Sequence, residues 1–74
     1  MTLETILSLG IADDDTLIYI RQWGRRLNLL AYGRWYEDGI LGYSENRVES
    51  FTYETGTPGI DGGNMLYIDL PGAP

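Results

Sequence analysis

The sequence predicts an α+β domain: an N-terminal helix, a four-stranded, mostly antiparallel sheet and a short second helix. Three observations lead there. The opening segment carries apolar residues at helical spacing. Four later segments are rich in aliphatic and aromatic residues over strand lengths. Glycine, proline and aspartate clusters punctuate them. No internal repeat or linker divides the 74 residues, so one small domain over 1–74 is expected.

Thr2 reads as a helix N-cap, with Glu4 well placed in the first turn. Leu3, Ile6 and Leu7 share one helical face, and Gly10 is a natural stop. A helix of about two turns persists only when docked. Asp13, Asp14 and Asp15 form a polar turn. Residues 16–23 (TLIYIRQW) then read as a strand, and 26–32 (RLNLLAY) as its return partner. Gly24 and Arg25 suit a two-residue type II′ turn between them.

That register pairs Ile18 with Ala31, Ile20 with Leu29, and Gln22 with Leu27. Residues directly opposite share a face. One face therefore carries Ile18, Ile20, Leu27, Leu29 and Ala31, and reads as core. The other carries Leu17, Tyr19, Arg21, Trp23, Arg26, Asn28, Leu30 and Tyr32. Over 33–46 two signals compete. Asp38-Gly39 favours a hairpin, whereas Trp35, Tyr36, Ile40 and Tyr43 recur at near-helical spacing; a short helix over 35–42 is preferred. Residues 47–54 and 64–70 read as strands. The TGTPGIDGG segment between them is expected to be a mobile exposed loop, and the terminal PGAP, 71–74, a frayed tail.

Composition narrows the function. The chain has 11 Asp+Glu against 5 Lys+Arg, a net charge of −6, and neither histidine nor cysteine. Common acid–base and thiol constellations are thereby excluded, as are the usual zinc motifs. The serines sit in no nucleophile elbow. IDGGN (60–64) lacks the strand–loop–helix context of a phosphate loop, and ADDD (12–15) lacks the spacing of a calcium loop. The expectation is a protein that is not an enzyme and uses no cofactor or metal. Acidity argues against direct nucleic-acid binding. No apolar run reaches the roughly 18–20 residues of a membrane span, and the N-terminus lacks a basic signal-peptide region. A cytoplasmic protein is expected.

Four of the five arginines and both tryptophans fall between Tyr19 and Glu37. Tyr19, Arg21, Trp23, Arg25, Arg26, Tyr32, Arg34, Trp35 and Tyr36 are the candidate partner-binding residues. Tryptophan, tyrosine and arginine are enriched at interface hot spots. The same groups could instead hold a nucleotide, with bases stacked on aromatics and phosphate on arginine. They could also pair with the chain's own carboxylates. The acids, in turn, could imitate a phosphate array toward a basic partner.

TLETILSLGIADDDTLIYIR resembles the opening of small acidic phage- and prophage-encoded proteins of Gram-positive bacteria. NRVESFTYE is similar to their third strand. Some proteins of this type inhibit bacterial defence systems, anti-CRISPR proteins among them, by occupying a surface of the target. The resemblance implies a non-enzymatic inhibitor of a defence complex, working in the bacterial host cytoplasm. The arginine- and aromatic-rich hairpin departs from that pattern. The alternatives are a protein that sequesters a nucleotide signal and a homodimer that uses its sheet face as its own seam.

Overall fold

A computed structural model describes residues 1–55 and 64–72. The elements run α1 (Leu3–Ser8), β1 (Leu17–Trp23), β2 (Leu27–Gly33), α2 (Asp38–Leu41), β3 (Ser50–Glu54) and β4 (Met65–Leu70). The four strands form one mixed sheet in the order β2-β1-β4-β3. β1 pairs antiparallel with β2, β4 antiparallel with β3, and β1 parallel with β4. The predicted α+β class, with its mostly antiparallel sheet, is the fold observed.

α1 starts as its sequence dictates. Thr2 is extended, and its hydroxyl accepts from the Thr5 amide at 3.3 Å. Gly10 ends the turn at φ +76°, a conformation open to glycine. A helix of six residues does not persist alone, and docking holds it. The amides of Leu3 and Glu4 donate to the carbonyls of Asn46 and Ser44.

Both helices cover the same side of the sheet. Leu3 and Ile6 from α1 and Ile40 from α2 meet Ile18 and Ile20 of β1 and Leu66, Ile68 and Leu70 of β4, with Val48 closing the cluster. The alternation of LIYI and MLYIDL is therefore one buried row and one outward row on each central strand. Thr16, at the entrance to β1, is fully buried. Its hydroxyl donates to Asp13 Oδ1 at 2.8 Å, and the Asp15 amide donates to the same oxygen at 3.0 Å. The bond from Thr16, and then that from Asp15, holds the Asp13 carboxyl below the usual carboxylate range.

The hairpin departs from its sequence expectation. The turn has three residues, Gly24–Arg26, rather than two: Trp23 pairs with Leu27, and the Gly24 amide donates to the Arg26 carbonyl at 3.0 Å. One more residue in the loop flips the parity of everything after it. Leu27 and Leu29 thus leave the predicted core face for the opposite one. Asn28 takes the helix-side position, where its amide reaches the Arg26 carbonyl at 3.4 Å. A bulge then restores the parity. Ile20 pairs with Ala31 but Arg21 pairs with Leu29, which leaves Leu30 as the extra residue on β2. Ala31 and Tyr32 return to the faces expected of them.

Other corrections are smaller. The second helix occupies Asp38–Leu41, with 35–37 in a turn, so the 35–42 expectation is too long. The third strand begins at Ser50 rather than 47, because Arg47 instead bridges to Thr2 and Val48 enters the core. Most of the TGTPGIDGG loop and the end of the PGAP tail lie outside the described residues.

Gly33 closes β2 under tight constraints. Its φ is +154°, and a Cβ built there would lie 2.8 Å from Glu37 Oε2. That carboxylate is not free to retreat, since it accepts from the Arg34 amide. Gly33→Ala is expected to lower stability by about 1–3 kcal/mol, measured by urea denaturation; an unchanged midpoint would contradict this geometry.

Candidate functional site

The face of the sheet opposite the helices has no cover among the described residues. Its rows follow from register. Tyr32, Tyr19, Tyr67 and Thr52 lie across it in one row, and Leu29, Arg21, Asp69 and Ser50 in the next. Trp23 and Leu27 complete it beside the turn.

The centre of this face is ordered by its own side chains. Tyr19 stacks between Tyr32, with ring centroids 6.2 Å apart, and Tyr67, at 5.2 Å. Arg21 forms a bidentate pair with Asp69, with Nε 2.8 Å from Oδ1 and Nη2 3.0 Å from Oδ2. The same guanidinium lies 4.5 Å from the centroid of the Tyr67 ring. This cluster ties β1 to β4 across their parallel pairing. Asp69→Asn is expected to lose about 1 kcal/mol at low salt, and less at high salt, in urea denaturation. An equal loss at both salts would show that the ion pair is not the cause.

Order gives way to exposure toward β2 and the turn. Trp23 is 56% exposed, Leu29 53% and Tyr32 66%, all on one face. Leu27 sits among them at 37%. A contiguous patch of large apolar groups open to water marks an interaction surface more often than it marks a simple monomer surface.

The candidate residues read from sequence do not form one site. Tyr19, Arg21, Trp23 and Tyr32 share the open face. Arg25 and Arg26 sit at the exposed hairpin turn beside it. Trp35 and Tyr36 lie elsewhere, in the connection from β2 to α2, packed edge to face at 5.7 Å. The Trp35 indole donates to Asp14 Oδ1 at 2.9 Å. It lines a groove of about 440 Å³ with Leu7 of α1 and Leu41 of α2, on the helix side of the sheet. Arg34, beside Trp35 in the chain, is half-buried at the end of β2.

Pairing of the arginines with internal acids proves partial. Among the described residues, Arg21–Asp69 is the one ion pair, and Arg25, Arg26, Arg34 and Arg47 make none. Two groups of residues escaped the sequence reading. Leu27 and Leu29 were hidden by the turn length. Tyr67 and Asp69 could have been found, because the alternation of MLYIDL puts them on the face opposite Leu66 and Ile68.

Ring faces on this surface are unevenly available for stacking. A base needs a free ring face. Both faces of Tyr19 look onto tyrosines, and Tyr67 carries Tyr19 and the Arg21 guanidinium. The inner tyrosines offer ring edges and hydroxyls instead, whereas Tyr32 and Trp23 are more than half exposed. Among the described residues, no group of three or more acids is arranged to hold a metal ion. No helix of the described residues is long and apolar enough to cross a membrane. Comparison with protein-family models, curated proteins and solved structures finds no match.

Proposed function

We propose that this chain is a non-enzymatic binding protein that docks a protein partner through the open face of β1 and β2. The observation that carries this reading is the patch of Trp23, Leu27, Leu29 and Tyr32, exposed together beside an arginine already held in place. Prepositioned aromatic and arginine groups lose little side-chain entropy on binding, and such groups supply most of the energy at protein interfaces. The partner we propose is a bacterial defence complex, blocked by occupation of its surface in the host cytoplasm. What supports that class is the resemblance of the N-terminal segment and of β3 to small acidic prophage proteins.

The test is capture from host lysate with the tagged chain, read by mass spectrometry for proteins and small molecules together. A single protein complex retained by the native chain, and lost when the open-face patch is truncated, supports the reading. A retained nucleotide without protein would overturn it in favour of sequestration.

A further inference from the structure

β2 lies at one edge of the sheet, and among the described residues nothing pairs with its outer side. Every second amide and carbonyl of Leu27–Gly33 therefore points away from β1. Natural edge strands are guarded against pairing by short length, charge or proline. This one has seven residues and neither charge nor proline. Its one guard is the bulge at Leu30. The opposite edge is different: β3 is shorter, with Glu49 just before it and Glu54 at its end.

Charge at the start of β2 has a single sign, whereas at its end the Glu37 carboxylate lies against Gly33 and accepts from the Arg34 amide. Arg25 and Arg26 precede it and Arg34 follows it, and none of them makes an ion pair among the described residues. No acid occurs from Thr16 to Tyr36, although the chain as a whole carries −6. The edge is thus an uncharged strand template with two exposed guanidiniums, Arg25 and Arg26, just before its first residue, continuous with the apolar patch of the open face. Guanidinium grips carboxylate bidentately.

From this we infer that the β2 edge takes a partner's extended segment by strand addition, and that the segment carries carboxylates just beyond the end that lies beside the hairpin turn. Backbone bonds to Leu27–Gly33 supply attraction without regard to sequence, and alternate side chains of the segment fall onto the Trp23–Leu29 side of the sheet. Arginine contacts beside the turn set the register and exclude basic segments at that end. The inference rests on the docking function proposed above and names the chemistry of the partner.

The experiment uses the full chain and two synthetic peptides. Both alternate threonine and valine; one is capped by glutamates at one end and the other by lysines at one end. Amide hydrogen exchange is read residue by residue by NMR. With the glutamate-capped peptide, alternate amides of Leu27–Gly33 should exchange at least about tenfold more slowly, and Arg25→Glu with Arg26→Glu should weaken binding about tenfold or more. Slowing that is absent, or equal with both peptides, overturns the inference. So does protection that appears without peptide as protein concentration rises, which would assign the edge to a second copy. If the peptides fail while lysate capture still depends on the open-face patch, strand addition falls and the docking function stands.

Discussion

Replacing Ile20 by alanine is expected to remove about 3 kcal/mol of folding stability. Ile20 is fully buried, pairs with Ala31 on one side and Ile68 on the other, and lies under both helices. Truncation there leaves a cavity in a core of nine side chains that has little capacity to collapse. A domain of 74 residues has on the order of 4–11 kcal/mol in all, so the variant sits near the edge of folding. Leu29→Ala, directly opposite Ile20 in the expected two-residue register, should change stability by less than about 0.5 kcal/mol, because Leu29 faces water. Urea denaturation of both variants decides the register. Equal losses would return Leu29 to the core and contradict the three-residue turn.

The second large effect is on binding. Trp23→Ala combined with Leu29→Ala should weaken partner capture at least about a hundredfold while the fold persists, since central hot-spot truncations lose about 2 kcal/mol or more each and are not strictly additive. Both side chains are more than half exposed in the free chain, so their loss removes little that folding uses. Trp35→Ala is the matched control. It removes an equally large aromatic, but from the groove between the helices on the other side of the sheet. Titration of the captured complex with the three purified chains gives the affinities. A loss with Trp35→Ala equal to that of the double variant would move the docking surface to the helix side.

These two variants also show where sequence reasoning reached its limit. Alternation in LIYI assigned Ile18 and Ile20 to the core face, and both lie in the buried centre of the fold. β2 offers no such help. LNLLAY breaks alternation at Leu29-Leu30, so a two-residue and a three-residue turn are both compatible with its local pattern. Trp35 and Tyr36 illustrate a different limit. They are close in sequence to the aromatics of β1 and β2, yet the turn before α2 carries them to the opposite side of the sheet. Neighbourhood in sequence does not survive a change of chain direction.

The sequence by itself determined the α+β class, the cap and stop of α1, the buried row of β1 and the concentration of arginine and tryptophan in the stretch from Tyr19 to Glu37. Each of these depends on local periodicity or on a single residue's conformational preference. The tertiary structure alone decided the parallel pairing of β1 with β4, the placing of both helices on one side, and the turn and bulge that turn Leu27 and Leu29 outward. Those outcomes depend on which segments meet across long separations in the chain. Because side-chain facing in a strand has a period of two, one residue more in a turn exchanges core for surface. Here that residue turned Leu27 and Leu29 onto the open face.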